Sequence, residues 1–352
     1  MQWDLYLFPF LIAFVLAAGL ILLFLLVPLF RRQIWRTGKR HDQKKRSLSR
    51  LGGLALLIAF LVTAIADPHL VLSKELLGLF VGSVFVLGFG LWDDLSEISW
   101  KIQVFLQVTL TIIVFVFGIR IISIPNLSGG AWFFPADGMV LPSFLLLLVW
   151  LFLIMNSMNW LDGLDGLSGS VACITLLTIF FLSLKPEVNQ PPIALLASIG
   201  IGAILGFLLF NVYPARIMAG TSGSMFLGFF IATLSVIAGT KIATALLVLA
   251  LPVADALWVI GERLYAGTSV FHPDERHLHY RLRKLGWTEG YIAFAFFSVT
   301  LAIAPIALFT KASGKLAAFS IVSIVLLVFL FLISRKVRML ESEKKKVIGE
   351  GV

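Results

Sequence analysis

Four short polar stretches interrupt an otherwise apolar chain: "LWDDLSEISWK" at 91–101, "NSMNWLDGLDGLSGS" at 156–170, "PARIMAGTSGS" at 214–224 and "FHPDERHLHYRL" at 271–282. The adjacent carboxylates Asp93 and Asp94, with Glu97 nearby, suit a magnesium ion or a catalytic base, because magnesium takes oxygen ligands and commonly shares one or two carboxylates with substrate phosphates. Ordinary solvation at a helix stop accounts for such a pair equally well. Asn156, Asn159, Asp162 and Asp165 recur at every third position. On a straight α-helix each step of three turns about 60° backwards, whereas a 3₁₀ turn nearly aligns them. Gly163 and Gly166 favour a tightened or broken helix end, and four amides and carboxylates between hydrophobic runs read as a polar substrate pocket.

The other two stretches carry weaker signals. "GTSGSMFLG" sets Gly220, Thr221, Ser222, Gly223 and Ser224 at the start of a helix, whose free N–H groups favour an anion. It lacks the Gly-Lys-Ser/Thr ending of a P-loop, and a simple connection would look the same. His272, His277 and His279 lie among Arg276 and Arg281. Histidines two apart do not share a helix face and no cysteine assists, which disfavours zinc. Phosphate binding, proton handling and interfacial basic anchoring remain open for this stretch.

The elements that must hold these residues are membrane helices. Of 352 residues 59% are hydrophobic, 31 are Phe and only 13% are charged, a composition that excludes a soluble domain. Apolar runs predict eleven spans, near 5–30, 51–67, 76–92, 102–119, 140–155, 169–184, 193–211, 223–240, 242–261, 289–310 and 316–334. The first run lacks a basic leader and is too long for a signal peptide, so it reads as a retained helix. We expect a single all-α integral-membrane domain over 1–352, ending in a basic tail at 335–352. The single cysteine, Cys173, permits no disulfide within one chain.

Charge sets the expected orientation. Of 28 Lys and Arg, nine fall in 31–50, five in 263–290 and six in 335–352, joined by Lys101 and Arg216. The positive-inside rule makes this face cytoplasmic, with the N-terminus outside and the C-terminus inside. All four polar stretches then share the cytoplasmic face. The net charge of +9 is explained by topology and anionic lipid, and no nucleic-acid partner is expected.

In order along roughly 50–285, "RLGGLA", "WDDLSE" followed by Lys101 and Gln107, "NSMNWLDGLDGL", "FNVYPARIMAGTSGSMFLG", "LPVADALWV" and "HPDERHLHYRL" resemble the polyprenyl-phosphate N-acetylhexosamine-1-phosphate transferases. The histidine stretch is more similar to their bacterial GlcNAc-1-phosphate branch than to the MurNAc-pentapeptide branch. The resemblance implies a bundle of ten or eleven helices in the bacterial inner membrane with its active site facing the cytoplasm. It implies a UDP-N-acetylhexosamine donor, an undecaprenyl phosphate acceptor, and Mg²⁺ with Mn²⁺ as a substitute, and it leaves a homodimer open.

By position, the resemblance makes Asp93 and Asp94 the acidic pair that activates lipid phosphate, and makes Asn156, Asn159, Asp162 and Asp165 the nucleotide and metal neighbourhood. Asn211, Arg216 and Asp255 fall on polar family positions. His277, His279, Arg276 and Arg281 fall on a loop implicated in handling diphosphate or sugar. One position departs from the pattern: where the family reads Gly-Asp-x-Gly-Ser, this chain has Thr221 in place of an aspartate metal ligand. A hydroxyl cannot supply the charge of a carboxylate. A catalytically silent binder of lipid phosphate or nucleotide sugar is therefore a second expectation. A secondary transporter is a third, disfavoured because the acids gather at one face and not at mid-membrane.

Overall fold

The computed structural model describes residues 3–27, 48–126, 128, 130–135, 138–239, 241–270 and 274–349. The basic stretch 31–47 and His272 lie outside them. The helices are α1 (Asp4–Leu26), α2 (Gly52–Ala66), α3 (Lys74–Ser96), α4 (Trp100–Val116), α5 (Val140–Leu161), α6 (Leu167–Ser183), α7 (Pro191–Asn211), α8 (Gly220–Ile237), α9 (Ile242–Val248), α10 (Ala250–Tyr265), α11 (Leu278–Lys284), α12 (Glu289–Phe309) and α13 (Ala312–Gly349).

Every predicted span overlaps a helix, but the helices are not equal. Seven are long and apolar enough to cross a membrane: α1, α3, α5, α7, α8, α12 and residues 313–343 of α13. The α9–α10 pair, bent by 76°, makes an eighth if it counts as one span. Helices α2, α4 and α6 are apolar but only 15, 17 and 17 residues long, at or below the length that covers about 30 Å of hydrocarbon. The molecule is a polytopic helical membrane protein.

The bend has a covalent cause. Pro252 sits in the first turn of α10, so it cannot donate to the carbonyl four residues back, and its ring crowds that turn. Clean starts elsewhere come from side-chain caps: Ser73 accepts from Leu76 N, Ser99 from Ile102 N and Thr288 from Tyr291 N. One feature departs from the all-α expectation and one extends the expected basic tail. A short antiparallel hairpin joins β1 (Ser123–Pro125) to β2 (Ala131–Phe133), and α13 carries the basic tail as continuous helix to Gly349.

Helix α8 occupies the centre and α13 the rim: 89% of the apolar window of α8 is buried, against 11% for α13. Around α8 pack α2, α3, α5 and α6. The segment before α2 runs beside the segment before α8, with Met218 N donating to Ser49 O (2.9 Å), Gly52 N to Met218 O (3.1 Å) and Gly53 N to Ala219 O (3.0 Å). The start of the central helix is thereby fixed beside the start of α2, and the end of α3, with Asp93 and Asp94, meets it there.

Candidate functional site

Asp94 closes the N-terminus of α8. Its Oδ1 accepts from Thr221 N (2.8 Å), and its Oδ2 accepts from Ser222 N (3.0 Å) and Ser222 Oγ (2.9 Å). A carboxylate at the positive end of a helix satisfies amides that have no partner within the helix. The approach requires glycine at 220, which holds φ +70° and where a Cβ would sit 2.6 Å from Asp94 Oδ2. Arg50 stands 3.8 Å from the same carboxylate. Asp93, only 2% exposed, accepts from Thr221 Oγ1 (2.6 Å), Gln103 Nε2 (2.9 Å) and Ile98 N (3.2 Å). The resemblance expects an acid at 221, but the hydroxyl there is hydrogen-bonded directly to one of the acidic pair. Glu97 is exposed at the C-cap of α3.

The 156–170 stretch turns over this end of the bundle. Asn159 Oδ1 accepts from Ser224 Oγ (2.9 Å), tying α5 to the first turn of α8. Asp162, the C-cap of α5, accepts from Ser168 Oγ (2.5 Å), and Asp165 Oδ2 accepts from Ala215 N (3.0 Å). Asn211 bridges two segments, accepting from Gly166 N (3.0 Å) and donating to Ile217 O (2.9 Å). Asn156 points another way, donating to Gln107 Oε1 (2.9 Å) and Phe152 O (2.7 Å). Arg216 is exposed at the rim.

The histidine stretch meets the same turn. A Cβ at Gly163 would lie 2.4 Å from His279 Nε2 and 3.0 Å from the Tyr280 hydroxyl, so "DGLDG" and "HLHY" are in contact and need the glycine. Asp255 of α10 orients the loop: its Oδ1 accepts from Leu278 N (2.7 Å), and its Oδ2 lies 2.9 Å from His277 Nδ1. That bond places a proton on Nδ1 and leaves Nε2 for another partner. The rings of His277 and His279 stack at 5.9 Å, and Trp160 covers His277 at 5.5 Å.

The arginines of this loop differ in employment. Arg281, expected to hold substrate, is engaged by the protein itself: it donates to Glu262 of α10, to Ser334 of α13 and to the carbonyl of Arg276. Glu262 also accepts from Arg338 (3.0 Å), and Lys284 pairs with Glu341 (3.1 Å), so α13 straps the loop to α10. Arg276 is half-buried and pairs with Asp274 (3.1 Å). Burial alone would raise the pKa of Asp274, but the hydrogen bonds and charge of Arg263, then the backbone N–H and charge of Arg276, hold it below the usual carboxylate range. A cleft of about 790 Å³ opens along this strap, from Leu257, Trp258 and Phe331 at its apolar end to Arg276 and Lys284 at its charged end.

The four stretches thus meet at one end of the bundle: 93–94 with 221–222, 159 with 224, 163 with 279, and 165 with 215. Among the described residues there is no group of three or more His, Cys, Asp or Glu that could hold a metal ion. Asp93 and Asp94 accept from hydroxyl and N–H donors of their own chain. Magnesium takes one or two carboxylates when substrate phosphates complete its shell, and Asp162 and Asp165 could supply them. Sequence reasoning read Ser222 and Ser224 only as part of a helix start, and it passed over Gln103, Trp160 and Glu262. The two serines carried a signal in their place at the start of a helix; Glu262 carried none.

A family model described as "Glycosyl transferase family 4" matches residues 76–239, the stretch that holds three of the four polar segments. The chain is 31% identical over 280 residues to the decaprenyl-phosphate N-acetylglucosaminephosphotransferase of Mycobacterium leprae, covering 70% of this chain and 69% of that one. It is 27% identical over 256 residues to the probable undecaprenyl-phosphate N-acetylglucosaminyl 1-phosphate transferase of Bacillus subtilis, covering 70% and 68%. With the phospho-N-acetylmuramoyl-pentapeptide-transferase of Clostridioides difficile it shares 28% identity over 304 residues, 79% and 89% of the two chains.

Proposed function

The chain belongs to the polyprenyl-phosphate N-acetylhexosamine-1-phosphate transferase family, and on that premise we propose that it transfers N-acetylhexosamine-1-phosphate from a UDP-sugar to undecaprenyl phosphate, and that Thr221 makes it slow. The donor is UDP-GlcNAc, the products are undecaprenyl-diphospho-GlcNAc and UMP, and the setting is the cytoplasmic face of a bacterial inner membrane, in cell-envelope polysaccharide synthesis. A lipid-phosphate oxygen forms a bond to the sugar-bearing phosphorus as the bond from that phosphorus to the UMP oxygen breaks. The proposal includes eleven spans as one domain, with the N-terminus outside and the C-terminus inside. What supports it is the meeting of all four polar stretches at one end of the bundle, together with the kinship to transferases of GlcNAc phosphate.

Phosphoryl transfer asks a protein mainly to position phosphates and compensate their charge. In this reading Asn159, Asp162 and Asp165 line the nucleotide side and Asp93 and Asp94 the lipid side. His277, oriented by Asp255, presents Nε2 toward the diphosphate, beside His279. Arg276 and Arg216 supply positive charge at the rim, while Arg281 acts as a strut that sets the histidine loop. Asn156 and Asn211 act through the backbones they brace.

The hydrogen bond from Thr221 to Asp93 carries the second half of the proposal. With aspartate at 221, two carboxylates would face each other where the hydroxyl now sits 2.6 Å away, and a cation would be the natural way to hold them together. Magnesium, or manganese in its place, is therefore a partner of the Thr221→Asp variant. Its role would be to neutralise phosphate charge. The test is UMP release from UDP-GlcNAc with undecaprenyl phosphate and Mg²⁺ in lipid nanodiscs. The chain as written should be nearly silent, and Thr221→Asp should raise turnover by about 10² or more. Full activity without the substitution overturns the slow-enzyme reading. A folded Thr221→Asp protein that stays silent but binds UDP-GlcNAc by titration calorimetry makes the chain a binder on a transferase scaffold, the reading that the Thr221–Asp93 bond also favours.

A further inference from the structure

The far ends of the site-bearing helices hold three lysines that this function does not use. Helices α6 and α8 begin at the polar site and run for 17 and 18 residues, about 25 Å, before reaching them. Lys185 follows α6, Lys241 precedes α9, and Lys315 lies in the first turn of α13. Lys241 is 1% exposed and donates to Ser183 Oγ (2.8 Å) and Gln190 Oε1 (2.6 Å). Lys315 is 7% exposed and donates to Thr244 Oγ1 (2.8 Å). Lys185 donates to Leu308 O at the end of α12 (2.6 Å) and lies 5.1 Å from the centre of the Phe309 ring.

These cations are near enough to repel one another, Lys185 acting on Lys315 and Lys315 on Lys241. Among the described residues the carboxylate paired here is Glu187, 4.0 Å from Lys185 and largely exposed, while the partners of Lys241 and Lys315 are neutral oxygens. Buried charge without a counter-charge is costly, and a single lysine would suffice to cap the end of α12. Among the described residues the ammonium groups of Lys315 and Lys185 each donate to one oxygen, with three donors available. The adjoining chain is apolar and outward-facing: Phe309 is 81% exposed, and Ile306, one turn before it, and Phe181, one turn before Lys185, are exposed too. Ammonium groups gathered at helix ends, with Lys185 at an edge of exposed apolar surface, suit a phosphate headgroup whose chains lie along the helices.

We propose that Lys185, Lys241 and Lys315 form an anion site, at the end of the bundle opposite the transferase site, that takes the phosphate of an anionic phospholipid or free inorganic phosphate. The probes are phosphatidylglycerol, phosphatidylcholine and inorganic phosphate, added to the full-length protein in detergent, with Tm and native mass spectrometry as readouts. Phosphatidylglycerol should raise Tm and remain bound, and phosphatidylcholine should do neither. Lys185→Gln, at the partly exposed edge, and Lys315→Gln should weaken retention roughly tenfold, the effect of one lost charge-assisted hydrogen bond. Lys185→Arg should keep it. The basic residues of 31–50 are common to all these proteins, so the difference between them reports on the lysine cluster. A Tm rise with millimolar phosphate that the same variants abolish assigns the site to the free anion. Should Lys315→Gln fail to fold, Lys185→Gln and Lys185→Glu decide. Equal retention of phosphatidylglycerol by wild type and the Lys185 variants, with no phosphate effect, overturns the site.

Discussion

The two ends of the bundle treat buried charge in opposite ways. At the polar site, Asp94 is met by two backbone N–H groups and a hydroxyl, and Asp93 by an amide, a backbone N–H and a hydroxyl. At the other end, Lys241 and Lys315 meet neutral oxygens and each other's repulsion. The negative end is complete within the chain, whereas the positive end is not. Donor-rich helix starts are available to any carboxylate placed at them, so a protein can satisfy acids from its own backbone. Helix ends offer carbonyls to ammonium groups in the same way, and Lys185 takes Leu308 O at the end of α12, but Lys241 and Lys315 meet side-chain oxygens.

The most severe break in this contrast is expected at Thr221. Replacing the hydroxyl by a carboxylate converts the completed negative end into one that needs a cation, and the increase of about 10² in UMP release should appear with Mg²⁺ and vanish with chelator. Next in size is Asp94→Ala, which removes the acceptor for the first amides of α8. Losing partners for buried polar groups costs ~1–3 kcal/mol each, so the Tm of the detergent-purified protein should fall clearly. Asp94→Asn, which keeps one acceptor oxygen, should fall less. An Asp94→Ala protein as stable as wild type would show that water completes the helix end.

A smaller effect is expected at the strap. Glu262→Gln retains size but releases its hold on Arg281 and Arg338, so the histidine loop should be less ordered. UDP-GlcNAc affinity should drop by several-fold, with Tm little changed, by titration calorimetry. The least effect concerns pH. Burial, then the charge of Lys315, lowers the pKa of Lys241 to about 7 from 10.5. The unfolded chain then holds more protons between about pH 7 and 10.5, so stability should rise with pH across that window and lie flat below it. Lys315 is the charged group acting on it, Lys185 acts in turn on Lys315 and pairs with Glu187, and Lys241→Met should flatten the rise. Bound phospholipid should flatten it too, by keeping the ammonium charged.

Much of the bundle was legible from apolar run length alone, since every expected span overlaps a helix. The hairpin at 123–133 was not, because three-residue strands leave too little alternation to read. Within the site, Asn159, Asp162 and Asp165 stood out because polar groups between hydrophobic runs are expensive, and each is held by a different segment, at Ser224, Ser168 and Ala215. The division of labour among the arginines was hidden: Arg281 looks like a substrate ligand until Ser334, more than fifty residues later, is seen to reach it. The lysine cluster was hidden for the same reason. Lys185, Lys241 and Lys315 read in sequence as scattered interfacial residues, and the packing of helix ends makes them neighbours.

Asn211 has a mechanical consequence. Its amide grips Gly166 on one side and Ile217 on the other, so the turn that carries Asp162 and Asp165 and the extended segment that leads into α8 are ganged. A shift of the turn is expected to be opposed by the segment that leads into Thr221. If the turn faces the nucleotide and Asp93 the lipid, as proposed above, Asn211→Ala is expected to loosen the one from the other.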